Sequence, residues 1–159
     1  MNRPKIRRAS VTDAETLVDV YHSAYRENRE LGFPAKAESV SESDIAEWIR
    51  TNRVYVAEGD DGVVGGVRLE TTDEDRVKLS RFGVHEDWKG EGIGSRLLEY
   101  VEDVVRADGY ATIWLTTPGE HPFLPDLYRR RGYEKTGEYP LDFRRYDEIV
   151  MEKRVRDRR

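Results

Sequence analysis

The apolar residues of this chain follow two spacings in turn, one typical of β-strands and one typical of α-helices. Strand-like runs are predicted at residues 5–9, 54–57, 63–69, 76–84, 111–117, 133–136 and 148–153. Helical spacing is predicted at residues 12–28, 43–49, 97–108 and 122–131. This order predicts an α/β (α+β) domain with a mixed, mostly antiparallel sheet flanked by about four helices.

Local signals indicate where several of these elements begin and end. Thr12 and Glu15 have the spacing of a capping box, so the first helix is predicted to begin there. Residues 59–62, Gly-Asp-Asp-Gly, predict a tight hairpin between two strands. Trp48 lies on the apolar face of the second helix, and we therefore expect it in the core.

The length and composition are those of one small domain. Of the 159 residues, 37% are hydrophobic and 37% are charged, which suits a single core. We expect one domain over residues 1–159, with its core at 5–153 and a short basic tail. No apolar run reaches the roughly 20 residues needed to cross a bilayer, and residues 1–5 do not resemble a signal peptide. We therefore expect a cytoplasmic location and no membrane partner.

The side chains that are present exclude several kinds of site. With no cysteine, disulfides, thiolate metal sites and cysteine nucleophiles are all excluded. Three scattered histidines do not predict a metal site, so we expect no bound metal. The net charge of −5 argues against general nucleic-acid binding. We interpret the basic clusters at 129–131 and 154–159 as solvated surface.

A glycine-rich stretch joins the strand that ends at Val84 to the third helix. Its glycines stand at alternate positions, Gly90, Gly92 and Gly94. A turn of this kind exposes consecutive backbone N–H groups at the positive end of a helix dipole. Such groups attract phosphate without needing a particular side chain. The stretch therefore predicts a pyrophosphate-binding turn.

Two common phosphate-binding motifs do not fit this stretch. A Walker loop ends in Gly-Lys-Ser/Thr, whereas Gly94 is followed by Ser95 and Arg96. A dinucleotide fingerprint needs a glycine at its sixth position, where this chain has Ser95, and it opens a parallel βαβ unit. Here three consecutive strands precede the turn, so neither motif is supported.

Two stretches resemble the signatures of a known enzyme family. Residues 89–94 are Lys-Gly-Glu-Gly-Ile-Gly, and residues 127–133 are Leu-Tyr-Arg-Arg-Arg-Gly-Tyr. The first is similar to the Arg/Gln-x-x-Gly-x-Gly/Ala motif of the GCN5-related N-acetyltransferase (GNAT) family, with Lys89 where Arg or Gln is usual. The second is similar to that family's Leu-Tyr-x-x-x-Gly-Phe/Tyr signature. Because the order of elements also agrees over residues 5–153, the resemblance implies a GNAT-like acyl-CoA N-acyltransferase fold.

The resemblance implies that the chain is an N-acetyltransferase whose acyl donor is acetyl-CoA. In the family the fourth strand separates from the fifth, and the pantetheine arm lies in the gap. We therefore expect the backbone of Phe82, Gly83 and Val84 to pair with pantetheine and to polarise the thioester. The pyrophosphate is expected on the backbone of the next residues, which are Lys89, Gly90, Glu91, Gly92, Ile93, Gly94 and Ser95.

The same resemblance implies that Tyr128 is the general acid, which protonates the departing CoA thiolate. The base is not identified, because the strand position where many family members carry a glutamate is Lys78 here. Glu70 and His121 are the tentative candidates. Two further side chains, Glu120 and His22, and direct deprotonation through water stay open.

The acceptor is not identified either. Residues 26–42 and 137–147 are expected to set its specificity, and the resemblance implies that the acceptor is a primary amine of a small molecule, peptide or protein. Two alternatives remain: a catalytically silent acyl-CoA-binding sensor or regulatory domain, and an interaction domain that only shares the fold. A homodimer is also left open.

Overall fold

The computed structural model describes residues 4–140 and 146–156. The four helices are α1 (Ala14–Glu30), α2 (Glu42–Thr51), α3 (Ile93–Ala107) and α4 (Leu124–Arg130). The seven strands are β1 (Lys5–Arg8), β2 (Arg53–Gly59), β3 (Gly62–Thr71), β4 (Arg76–Val84), β5 (Thr112–Pro118), β6 (Glu134–Tyr139) and β7 (Glu148–Arg154). The predicted order of strands and helices is confirmed. None of the helices in the described part of the chain is long and apolar enough to cross a membrane.

The chain divides into two compact units. The first consists of Met1–Glu70 with Ser80–Val101, and the second of Thr71–Leu79 with Glu102–Arg159. Strand β4 contributes residues to both units, as does α3. That residues 1–159 form one domain stays a prediction.

In the first unit, β1, β2 and β3 pair in sequence order, and both pairings are antiparallel. The hairpin predicted at 59–62 is confirmed, because Gly59 and Gly62 are register partners around a two-residue turn. Buried residues of α1, α2, β2 and β3 form the core here, among them Leu17, Tyr21, Ile45 and Val56. Their side chains follow the predicted helical and alternating spacings.

One sequence prediction about the first unit is wrong, and a second is confirmed only in part. The capping box is formed by Ser10 and Asp13, not by Thr12 and Glu15: the Ser10 N–H donates to Asp13 Oδ2 at 2.8 Å. A short 3-10 turn thus precedes α1, and Asp13 is drawn to Arg7 on β1, which binds both of its carboxylate oxygens. Trp48 is half-buried and packs against the core from its edge, with two arginines against its ring.

In the second unit, β5 has antiparallel pairing with β7 along its whole length, and β7 has the same pairing with β6. The first three residues of β4 are parallel to β5, from Arg76 opposite Thr112 to Lys78 opposite Trp114. The alternation predicted for β5 is confirmed, since Ile113 and Leu115 are buried.

One buried carboxylate organises the charges of the second unit. Glu102 is only 3% exposed. It accepts hydrogen bonds from Lys153 Nζ at 2.9 Å, Arg131 Nη2 at 3.1 Å and Tyr133 Oη at 3.0 Å. Burial, followed by the charge of Glu102, raises the pKa of the Tyr133 phenol well above its ordinary value. The Tyr133 phenol therefore stays a hydrogen-bond donor to Glu102.

Candidate active site

The predicted phosphate-binding turn lies between β4 and α3, as expected. After Val84 the chain makes a 3-10 turn, Glu86–Trp88. In this turn the Asp87 N–H donates to His85 Nδ1 at 3.1 Å. Gly90 and Gly92 then have φ values of +83° and +79°, and the ideal Cβ positions of both have no atom within 4 Å. The turn is thus left-handed, exposed and open on the side where a side chain would stand.

The first N–H groups of α3 complete this turn. The helix begins at Ile93, and its first hydrogen bond to the turn runs from the Arg96 N–H to the Gly92 carbonyl at 3.1 Å. The N–H groups before Arg96 have no carbonyl of their own helix to bind, as at any helix start. They give the turn a partial positive charge that suits an anion.

Three contacts tie the turn to the rest of the first unit. The His85 N–H donates to the Val64 carbonyl, and the Glu86 N–H donates to Ser23 Oγ, both at 2.9 Å. Lys89 Nζ forms an ion pair with Glu27 on α1. Because Glu27 partly compensates the charge of Lys89, the positive character of this turn comes mainly from its backbone N–H groups.

The predicted pantetheine-binding residues form the last part of β4. Gly83 and Val84 are buried, and the Phe82 carbonyl accepts a hydrogen bond from Tyr25 Oη at 3.3 Å. The Phe82 ring lies under the start of α3, since its Cζ is 3.0 Å from the ideal Cβ of Gly94. Residues 82–84 and the glycine turn are therefore packed together within the first unit.

A cluster that the sequence reasoning missed lies in the same unit. Arg68 on β3 and Arg81 on β4 place their guanidinium carbons 4.8 Å and 5.3 Å from the centroid of the Trp48 ring. Arg68 Nε also donates to Ser80 Oγ at 3.0 Å. Glu70 follows Arg68 by two residues on β3, so the two share a face of the strand, and both are half-buried.

The sequence holds a signal for Arg81. The apolar positions of β4 shift from odd numbers, Val77 and Leu79, to even numbers, Phe82 and Val84. Such a shift of phase indicates an irregular residue in between. The structure has it at Arg81, the one non-glycine residue in the described part of the chain with a positive φ, +50°.

Tyr128, the predicted general acid, lies on α4 in the second unit. It is 6% exposed, and its ring is 5.7 Å from the ring of Tyr133 at an interplanar angle of 67°. Edge-to-face packing of this kind fixes the direction of a phenol. Tyr133 in turn donates a hydrogen bond to Glu102. Tyr128 therefore packs against a ring that the buried carboxylate holds in place.

His121 has a capping role before α4. It is 5% exposed, and its Nδ1 accepts hydrogen bonds from the backbone N–H groups of Phe123 and Leu124, each at 3.2 Å. The Phe123 ring packs against the imidazole, with the centroids 4.4 Å apart. Because Nδ1 is already an acceptor, its proton is on Nε2, and taking a second proton at Nδ1 would break the cap.

The remaining candidate bases are placed as follows. His22 Nε2 is 2.9 Å from the Val40 carbonyl, and Glu120 is exposed. Lys78, which replaces the glutamate of many family members, has its Nζ 5.1 Å from the centroid of the Trp114 ring. Of these and the two tentative candidates, Glu70 is the carboxylate that shares the unit of the glycine turn and is half-buried.

The segments predicted to set acceptor specificity are only partly loops. Residues 26–30 belong to α1, and residues 137–139 belong to β6. Residues 141–145 of the second segment lie outside the described residues. Among the residues that the structure describes, no group of three or more His, Asp or Glu side chains could hold a metal ion.

Comparison with known proteins identifies the family. Residues 50–135, which are more than half of the chain, match the family model described as the acetyltransferase (GNAT) domain. This chain belongs to the GNAT family. The family, the α/β fold with a mixed sheet and four helices, and an acyltransferase enzyme are thereby confirmed.

Two GNAT relatives are similar over most of this chain. The S-(2-succino)cysteine N-acetyltransferase of Bacillus subtilis (strain 168) is 28% identical over 97% of this chain and 98% of its own. The S-alkylcysteine N-acetyltransferase of the same strain is 31% identical over 80% of this chain and 77% of its own. Among solved structures, the yncA protein of Salmonella typhimurium, with its cofactor acetyl-CoA, is 20% identical and has a TM-score of 0.80, covering 99% of this chain and 97% of its own.

The two units divide the predicted GNAT site residues between them. The first unit holds the glycine turn, residues 82–84 and Glu70, and the second holds Tyr128 and His121. The roles of these residues stay predictions. The chain is an N-acetyltransferase of the GNAT type.

Proposed function

We propose that this chain transfers the acetyl group of acetyl-CoA directly to the primary amine of a small-molecule acceptor, with Tyr128 as the general acid. The observation that carries the proposal is the open, left-handed turn at Gly90 and Gly92, which leads into the N-terminus of α3. Its backbone N–H groups would bind the pyrophosphate of CoA. The separate support for acetyl-CoA is that the yncA protein was solved with it.

The proposed donor site uses groups of the first unit. The N–H groups of residues 89–95 would hold the pyrophosphate, and the backbone of residues 82–84 would pair with the pantetheine amides. The ring of Phe82 supports both parts, because it lies under Gly94 at the start of α3. A backbone N–H aimed at the thioester carbonyl would stabilise the negative charge that develops on that oxygen.

The proposed transfer is a single displacement. The amine nitrogen attacks the carbonyl carbon of the thioester and forms the C–N bond while the C–S bond breaks. The CoA sulfur leaves as a thiolate and takes the proton of the Tyr128 phenol. The proton that the amine loses goes to a base or to water, and this proton eventually restores the phenol through solvent.

Glu70 is the base that we favour. It is half-buried on β3, and it lies in the unit that holds the glycine turn. His121 stays the second candidate, but its Nδ1 already accepts two backbone N–H groups. Replacing Glu70 with Gln should remove the acidic limb of the pH profile of kcat/KM, whereas a loss of that limb in His121→Asn would assign the base to His121.

Tyr128→Phe tests the general acid. Removing the phenol oxygen should lower kcat roughly 100-fold, because general acid catalysis typically contributes at least that much. The Kd for CoA should stay unchanged, since the phenol is not part of the proposed donor site. Tyr100→Phe is the matched control, because Tyr100 is exposed on α3 and should not affect kcat. Unchanged turnover in Tyr128→Phe would remove the role.

The acceptor class follows from the two curated relatives. Both are N-acetyltransferases that act on S-substituted cysteines, by their names, and one of them matches nearly the whole of this chain. We propose an S-substituted cysteine, acetylated on its α-amino group, as the acceptor of this chain. A protein amine is the second candidate class.

The test is a panel of amines incubated with acetyl-CoA while free thiol is measured. The proposal expects thiol release with S-alkylcysteines and little with N-terminal peptides. Thiol release with peptides alone would move the acceptor to proteins. Binding of CoA without thiol release on any amine would support the alternative, a silent acyl-CoA sensor. Binding is easily detected, because a ligand at 100 times its Kd stabilises a protein by about 2.7 kcal/mol.

Two finer predictions accompany this function. We propose a cytoplasmic location, because the donor acetyl-CoA is available there, and fractionation of cells that express the chain would test it. A homodimer stays a prediction that light scattering on the purified protein would test.

A further inference from the structure

Two arginines and one tryptophan form a compact cationic cluster in the first unit, consisting of Trp48, Arg68 and Arg81. Both guanidinium carbons lie close to the same indole ring, at 4.8 Å and 5.3 Å from its centroid. A guanidinium over an indole keeps its N–H donors in the plane, where they can still reach an anion. Arg68 is held further by its Nε, which donates to Ser80 Oγ at 3.0 Å.

No carboxylate among the described residues forms an ion pair with Arg68 or Arg81. The Arg81 Nε is buried and has no hydrogen-bond acceptor among those residues, and the same is true of the Nε atoms of Arg76 and Arg131. Burial, and then the charge of Arg81, lowers the pKa of Arg68, and the charge of Glu70 on the same face of β3 opposes this in part. Two like charges at a half-buried position thus have one carboxylate near them, without an ion pair, and an added anion would stabilise them further.

The second unit shows what a compensated arrangement looks like. Arg76 also lies over a tryptophan, with its guanidinium carbon 5.4 Å from the Trp114 centroid. There a carboxylate completes the arrangement, because Glu152 is 3.1 Å from Arg76 Nη2. A guanidinium stacked on an indole can thus also form an ion pair, and the cluster at Trp48 differs because none of the described carboxylates forms one with Arg68 or Arg81.

The backbone at Arg81 contributes to the cluster. With a φ of +50°, Arg81 interrupts the alternation of β4, so that two consecutive residues, Ser80 and Arg81, both reach the cluster. Non-glycine residues adopt this conformation at an energetic cost, and such residues concentrate at functional sites. Phe82, the first residue expected to contact pantetheine, follows directly.

We propose that Arg68 and Arg81, supported by Trp48, bind the carboxylate of the acceptor, so that the substrates are free α-amino acids rather than amides or peptides. This inference rests on the proposed function, because it concerns the acceptor of the same reaction. In an α-amino acid the amino nitrogen is two bonds from the carboxylate carbon. A carboxylate held at Arg81 would thus keep the amine near residues 82–84. Glu70, on the same face of β3 as Arg68, is the group that would meet the ammonium.

The cluster also predicts a preference within this substrate class. Two guanidinium groups can bind more than one carboxylate, since each offers a planar fork of donors. An S-substituent that carries carboxylates, as in S-(2-succino)cysteine, is therefore expected to be accepted at least as well as a plain S-alkyl group. A strongly cationic S-substituent is expected to be rejected.

The experiment compares S-methylcysteine with S-methylcysteinamide, which differ only in the carboxylate. Values of kcat/KM are measured for the wild-type chain, Arg68→Gln, Arg81→Gln and the control Arg76→Gln. The wild-type chain should favour the acid by roughly tenfold or more, and each cluster variant should lose roughly 10- to 100-fold on the acid, mainly in KM, with little change on the amide. Arg76→Gln should keep the wild-type ratio.

Equal use of acid and amide by the wild-type chain would overturn the inference, and so would an equal loss on both acceptors in the cluster variants. A CoA titration of each variant shows whether it is folded and binds the donor. No thiol release on any amine would instead count against the proposed function. In that case a thermal shift of the CoA-loaded chain decides: the acid should stabilise it, the amide should not, and Arg81→Gln should abolish the difference.

Discussion

Replacing Gly92 with alanine should weaken CoA binding more than it weakens the fold. Gly92 has a φ of +79°, and an added Cβ would have no atom within 4 Å, so the new methyl group meets no steric obstacle in the protein. The remaining cost is the left-handed conformation itself, about 1–2 kcal/mol for an L-residue. The free variant can avoid this cost if the exposed turn moves away from the left-handed conformation. CoA binding must then restore that conformation, and the cost appears as weaker binding.

The expected magnitude follows from this conformational cost. If binding restores the whole of it, the Kd for CoA rises roughly 5- to 30-fold, because about 1.4 kcal/mol corresponds to a factor of ten. The loss of stability is at most the same free energy, which would lower Tm by about 2–8 °C for a chain of this size. If the turn moves in the free variant, the loss of folding stability becomes smaller, whereas the increase in the Kd for CoA remains.

Calorimetric titration with CoA measures the effect, and Gly62→Ala is the matched control. Gly62 also has a positive φ, +117°, and open space at its Cβ, but it lies in the hairpin between β2 and β3. The control should lose stability and keep the wild-type Kd. The reasoning is refuted if Gly92→Ala binds CoA as the wild-type chain does, or if Gly62→Ala weakens binding equally.

Two further predictions concern the charges that support each unit. Glu102→Gln removes the carboxylate shared by Arg131, Lys153 and Tyr133. Urea denaturation should show that the free energy of unfolding falls by about 3 kcal/mol, because breaking a buried ion pair leaves its cations uncompensated. A fall of less than about 1 kcal/mol would contradict this. The Arg7 guanidinium lowers the pKa of Asp13 below its ordinary 3.8, so this pair stabilises the folded chain above that pH, and its contribution is lost as the pH falls through the lowered pKa. Asp13→Asn should therefore be less stable than the wild-type chain at pH 7, with the difference shrinking below about pH 4; a constant difference would refute this.

Much of the fold could be predicted because its signals are local. Strand β4 has the predicted bounds, 76–84, and the glycines after it lead into α3 as expected. Alternation, helical spacing and glycine positions act over a few residues, so they are readable without tertiary structure. The capping box failed for the opposite reason: Asp13 is fixed by Arg7 on β1, and only folding brings that strand beside it.

Of the candidate site, the glycine turn was predictable from the sequence and the cluster at Trp48 was not. Backbone groups can bind phosphate without a particular side chain, so a glycine pattern is enough to indicate the turn as a candidate phosphate site. The cluster at Trp48 is assembled from α2, β3 and β4, and neither Arg68 nor Arg81 stands in a motif. Its one signal in the sequence is the phase shift of β4, which shows an irregular residue but not its partners.

Product analysis tests the central claim most directly. The wild-type chain is incubated with acetyl-CoA and S-methylcysteine, and the products are identified by mass spectrometry while free thiol is counted. The account predicts N-acetylated S-methylcysteine, modified on the α-amino group, in equal amount to the CoA released. Thiol release without an acetylated product, or CoA binding with no release on this or any other amine, would contradict it.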